Sequence, residues 1–211
     1  MSSATEERVE HEQKLPPAGR ISFEEFLEWC DEDTLAEWVD AVVIMASPAS
    51  DRHQDIEGFL VAVLRPFIET YQLGYLRSAP FLMHLPSRPS GREPDILFVA
   101  RQRAGLIQQN YLDGPADLVV EIVSPESIGR DRGEKFVEYE AAGVREYWLL
   151  DPLREQAEFY QLGADGRYRL GAVAEGVYRS QVLPGFWLRV VWLWQRPLPA
   201  VLSVLKELGV L

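Results

Sequence analysis

Three residues of this 211-residue chain break the patterns around them in a way that could do chemistry. Asp95 follows Pro94 at the mouth of the apolar run Ile96–Val99, and Glu121 lies inside the apolar run Leu118–Val123. An ionised carboxylate in a buried strand is costly unless it is paired, hydrogen-bonded or bound to a metal. Two such groups at the ends of neighbouring strands suit Mg²⁺, a hard cation that takes one or two carboxylates plus waters and substrate phosphate. Phosphodiester hydrolysis uses this equipment. A metal activates the attacking water and neutralises charge at phosphorus, and a nearby ammonium orients the nucleophile or stabilises the transition state. Lys135 is the natural ammonium, because it falls in the first turns of the helix expected after the Glu121 strand and can reach back over that strand's end. Ser124 and Pro125 end the strand, and the Ser124 hydroxyl serves either a ligand or a turn.

Each residue also has a plainer reading. A Pro-Asp pair is commonly a turn, a Glu in an apolar strand is commonly half of an ion pair, and a Lys on a helix is commonly solvated. What favours chemistry is their order: strand, strand, following helix. Two other functions stay open at this point. One is a non-catalytic binding or regulatory protein. The other is a two-carboxylate hydrolase of the glycosidase kind, which would leave Lys135 without a task.

The elements that must position these groups can be read from periodicity. Ser22-Phe-Glu-Glu25 fits a capping box opening a short helix to about Cys30. Leu35 to Met45 reads as two strands joined tightly at Asp40-Ala41. From Ser50 to Tyr71 apolar residues recur at helical spacing, with Pro66 expected to kink or shorten the helix. Leu76–Leu85 and Asp95–Ala100 are strand candidates, and Ala116–Val123 reads as a central strand buried on both faces. Asp131-Arg-Gly-Glu134 fits a helix start, Gly143 a helix stop, and Glu146–Asp151 a further strand. Short strands follow from Glu158 to Val191, and Ala200–Leu208 fits a closing helix. The order predicts an α/β or α+β domain around a central mixed β-sheet flanked by helices.

Composition sets outer bounds. Cys30 is the sole cysteine, so no disulfide framework or thiolate metal cage forms within one chain. The acidic, polar N-terminus lacks the apolar core of a signal peptide, and no run reaches the roughly 18 apolar residues of a membrane span. A cytoplasmic location without membrane partners is expected. The net charge of −12 argues against a polyanionic partner. Yet residues 1–40 hold twelve acids and three bases, a net of −9, which leaves −3 for the other 171 residues. Residues 1–19 are expected to be a flexible acidic tail, 20–195 the domain, and 196–211 a helical extension.

The run Pro115-Ala-Asp-Leu-Val-Val-Glu-Ile-Val-Ser-Pro-Glu-Ser127, then Asp131-Arg-Gly-Glu-Lys135, Tyr139, and Ala142-Gly-Val-Arg-Glu-Tyr-Trp-Leu-Leu-Asp-Pro152, resembles the signature of the Uma-two-type family. This is a widespread bacterial family of restriction-endonuclease-like proteins with a PD-(D/E)XK nuclease-like fold. Glu37-Trp-Val-Asp-Ala-Val-Val, Ser47-Pro48, His53 and Glu93-Pro-Asp95 match as well, so the resemblance covers roughly residues 20 to 195. It implies that Asp95 and Glu121 bind Mg²⁺, with Mn²⁺ as a substitute, and that the Ile122 carbonyl is a further ligand. The general motif sets a lysine two residues after the second acid, where this chain has Val123. The resemblance implies that the lysine has moved to the next helix, as Lys135. Glu37 and His53 match positions near the same cleft. DNA is the implied substrate. Cutting both strands makes a homodimer an attractive arrangement, with the aromatic run Phe186–Trp194 serving either as an interface or as core. One departure is Ala41, where the family hairpin usually carries glycine.

Overall fold

A computed structural model describes residues 15–31, 34–86, 88–125 and 127–211. Most of the segment read as a flexible tail, 1–14, lies outside the described residues. The chain opens with α1 (Phe23–Trp29), whose Ser22 and Glu25 form the reciprocal capping box. The hairpin of β1 (Ala36–Val39) and β2 (Val42–Met45) turns at Asp40 and Ala41, both with positive φ, 49° and 67°. Two positive φ values are what a tight two-residue hairpin of this hand requires.

Helix α2 (Asp51–Thr70) runs for 20 residues and is not shortened by Pro66. The proline removes one internal hydrogen bond, but both Pro66 and Ala62, whose carbonyl loses its amide, lie on the partly exposed side. The expected single strand over 76–85 is instead two. It breaks at Ala79-Pro80 into β3 (Gly74–Ser78) and β4 (Leu82–Leu85), which join different sheets. Strand β5 (Ser90–Arg92) was not anticipated from periodicity. It is followed by β6 (Ile96–Ala100), β7 (Tyr111–Asp113) and β8 (Leu118–Ile122).

Helix α3 (Lys135–Ala142) connects β8 to β9 (Glu146–Asp151), and Gly143 ends it in the left-handed conformation. Then come β10 (Gln156–Leu162), β11 (Tyr168–Leu170), β12 (Val173–Ala174), β13 (Val177–Arg179), β14 (Trp187–Arg189) and α4 (Val201–Glu207).

The central sheet has six strands in the order β11-β10-β9-β8-β6-β3. Only β8 and β9 pair in parallel there, which requires the crossover that α3 supplies. A second sheet, β2-β1-β5-β4-β7, carries the hairpin, and a third joins β12, β13 and β14.

Alternation along β8 decides what meets what. Leu118, Val120 and Ile122 face α2 with Ile96, Phe98, Trp148 and Leu150. Val119 and Val123 face the other way with Leu97, Val99, Leu149 and Tyr139 of α3. Glu121 shares the parity of the second set, so its carboxylate points toward the α3 side. Phe186, Leu188, Trp192 and Leu193 are buried in the α2-side core, so the interface reading of that run gives way to core packing. No helix among the described residues is long and apolar enough to cross a membrane.

Candidate active site

The five side chains singled out from sequence line one cleft of about 340 Å³ between the β1–β2 hairpin, the start of α2 and the helix after β8. Three local geometries bring them there. Ile96 pairs with Val120, so continuing that register by one step sets Asp95 opposite Glu121. Ser50 caps α2 by accepting a hydrogen bond from the His53 amide, which places His53 in the first turn, and its Nε2 lies 3.1 Å from Asp95 Oδ1. Glu37 comes from β1, whose four residues are all buried.

The helix after β8 does not start where the sequence suggested. It is already helical at Ile128, and residues 130–134 form a π-helical turn in which the Lys135 amide donates to the Arg130 carbonyl. Asp131 is therefore not a cap but a buried side chain one turn before Lys135. A π turn stacks residue i over i+5, positions that an α-helix would set about 140° apart. Arg130, Asp131 and Lys135 consequently all face the cleft.

Lys135 is 5% exposed, and its ammonium is the hub. Its Nζ lies 3.0 Å from Glu121 Oε2, 3.1 Å from Glu37 Oε1 and 3.5 Å from Asp131 Oδ1. Burial works against its charge, but these carboxylates outweigh it and hold the ammonium well above the usual lysine range. The second Glu121 oxygen accepts from the Tyr139 hydroxyl at 2.8 Å. Asp95 Oδ2 accepts from the Ile122 amide at 2.5 Å. Ile122 lines the cleft, as its expected carbonyl ligand role needs.

Several residues of this arrangement were not read as site residues. Arg92 is fully buried and grips Glu138 with two bonds of 2.7 and 2.8 Å, while its Nη1 donates to Glu37 Oε2 at 3.0 Å. Burial raises the Glu37 carboxyl, yet Lys135 and Arg92 overcome that and bring it down to about 2. Burial and the neighbouring Glu37 push Glu93 the other way, to about 8. Asp131 also moves up, chiefly by burial, against the pull of Lys135. The signal for Glu138 and Tyr139 was present. Asp131, Lys135, Glu138 and Tyr139 stand at i, i+4, i+7 and i+8, a polar stripe on the face that packs against a sheet.

Six acids line the cleft, Glu37, Glu57, Glu93, Asp95, Glu121 and Asp131, against His53, Arg130 and Lys135. Among the described residues no three His, Cys, Asp or Glu side chains converge into a ready-made metal cage. The donor set nonetheless fits a cation that keeps most of its waters: it is all oxygen, in acid excess, and Asp131 Oδ1 is buried without a hydrogen bond.

The fold is that of the restriction-endonuclease-like nucleases. A crystal structure described as "a putative nuclease belonging to DUF820", from Anabaena variabilis, superposes with a TM-score of 0.69 at 16% identity. The match covers 82% of this chain and 97% of that one, a likeness of fold. The chain belongs to the Uma2 family, described as "Putative restriction endonuclease", whose family model matches residues 23–191. No curated protein matches the chain.

Proposed function

We propose that this protein is a divalent-metal-dependent nuclease that hydrolyses phosphodiester bonds in DNA, with Mg²⁺ as its ion and Mn²⁺ as a substitute. The observation that carries the reading is the Lys135 ammonium, held 3.0 Å from Glu121 inside the cleft that Asp95 also lines. Asp95 and Glu121 would hold the cation, with the Ile122 carbonyl as a further ligand. Bound there, the cation supplies Lewis acidity at phosphorus and a more acidic water.

The remaining work falls to the chain's own groups. Hydrolysis bonds a water oxygen to phosphorus and breaks an ester P–O bond, so negative charge grows on the phosphoryl oxygens. Lys135 stays protonated among its carboxylates, which makes it a hydrogen-bond donor to that charge and to the nucleophile rather than a base. Glu37 fixes the ammonium from the other side, and Arg92 fixes Glu37. His53 orients Asp95 through its Nε2 contact. The interior of the cleft is acidic and the chain carries −12, so a bound cation is also what lets a phosphate approach.

The test is cleavage of linear, single-stranded and branched DNA with Mg²⁺ or Mn²⁺ and with EDTA. Glu121→Gln and Lys135→Met are each expected to lower the rate by about 10²–10³-fold. Cleavage that persists in EDTA, or in either variant, overturns the reading. The net charge favours a second reading, a non-catalytic binding protein on a nuclease-like fold. Calorimetry that detects no heat from millimolar Mg²⁺ or Mn²⁺ would decide for it.

A further inference from the structure

Four buried side-chain polar atoms lack a hydrogen-bond partner among the described residues, and three belong to residues lining this one cleft: His53 Nδ1, Asp131 Oδ1 and Arg130 Nε. Buried polar atoms are satisfied in the great majority of cases, so three exceptions on residues of one cleft are unusual. The acceptor on Asp131 already faces the Lys135 ammonium at 3.5 Å. The guanidinium of Arg130 has no such partner among the described residues and suits an anion.

Arg130 is one of three cleft side chains able to carry positive charge, and the other two are engaged. Lys135 is paired with Glu37, Glu121 and Asp131, and His53 with Asp95. No ion pair joins Arg130 to a carboxylate among the described residues, although six acids line the same cleft. Arg130 is only partly buried and lines the cleft, so although its Nε is enclosed, its guanidinium can present a planar fork of donors matched to two oxygens of a phosphate. The π turn holds it there, since it faces Arg130 the same way as Lys135.

We propose that Arg130 is the substrate-phosphate clamp of this cleft, taking a non-bridging phosphate pair of a nucleic-acid backbone beside the reacting linkage. This rests on the nuclease reading and adds to it a recognition residue. The contact is to the backbone, so it positions the strand without reading its sequence.

Binding of a fluorescein-labelled DNA duplex and of its single strand, followed by anisotropy with Ca²⁺ replacing Mg²⁺ to hold back hydrolysis, tests it. Arg130→Gln should weaken binding about tenfold for every sequence tried and reduce the slope of log affinity against log salt by about one. Arg130→Lys keeps the charge without the fork, so it should keep the slope and recover part of the affinity. Arg65→Gln, an equal loss of charge on the exposed side of α2, should match the native protein. Native affinity and slope in Arg130→Gln overturn the clamp while leaving the nuclease reading in place. A native protein that binds neither probe overturns both.

Discussion

Arg92 shows how far the buried charges depend on one another. It is fully enclosed and its guanidinium donates to Glu37, Glu134 and Glu138. Removing one partner of a buried ion pair leaves the other charge uncompensated, which costs about 3–5 kcal/mol. Arg92→Met is therefore expected to lose about that much stability in urea denaturation, because Glu138 and Glu37 remain. Replacing Arg92 and Glu138 together with Met and Leu should recover much of the loss, and a double-mutant cycle measures the recovery. Lys135→Met should cost a comparable amount for the same reason, since Glu121, Glu37 and Asp131 all face its ammonium. The sequence marked Glu121 and Lys135 by their violation of pattern. It gave no comparable mark to Arg92, which lies in a three-residue strand too short to have a readable period.

At the scale of elements, the hairpin turn and the helix after β8 do most to shape the site. Ala41 adopts φ 67° where a side chain is disfavoured by roughly 1–2 kcal/mol and glycine is not. Ala41→Gly relieves that strain but adds freedom to the unfolded chain. A net gain of about 0.5–1 kcal/mol is expected, read as a higher midpoint in thermal unfolding. The hairpin lines the cleft through Glu37, Ile44 and Met45 and not through its turn, so the same variant should leave metal binding unchanged. The sequence suggests a helix start at Asp131 because Asp-x-x-Glu is a capping pattern, but the same pattern also occurs inside helices. Here Ser127 caps the turn with Ser124, and Asp131 is free to turn inward.

At the scale of the whole molecule, charge and packing make separate demands. A cation that binds the folded state alone stabilises it by about 2.7 kcal/mol at a hundred times its dissociation constant. Mg²⁺ is therefore expected to raise the melting temperature of the native protein, and Asp95→Asn combined with Glu121→Gln should abolish that rise. Helix α4 belongs to the same energetic unit as α2. Val204 and Leu208 are buried in the α2-side core, and Tyr71 donates to the Gly209 carbonyl at 3.2 Å. Ending the chain at Pro199 should destabilise it by several kcal/mol, since each buried Val or Leu contributes roughly 1.5–3 kcal/mol. A fall in the denaturant midpoint would measure it.

The sequence by itself determined most of the longer elements and the alternation along them. Periods of two and of 3.6, the capping box at Ser22 and the glycine at 143 act over a few residues, so they need no tertiary partner to be legible. That parity aims Glu121 at the helix that follows. Only the tertiary structure decided that β3 and β4 part company, that the helix after β8 passes through a π turn, and that Arg92, Glu138 and Asp131 complete a charge network spanning four elements. Those outcomes rest on balances between desolvation and pairing among residues distant in sequence. No local pattern carries that information.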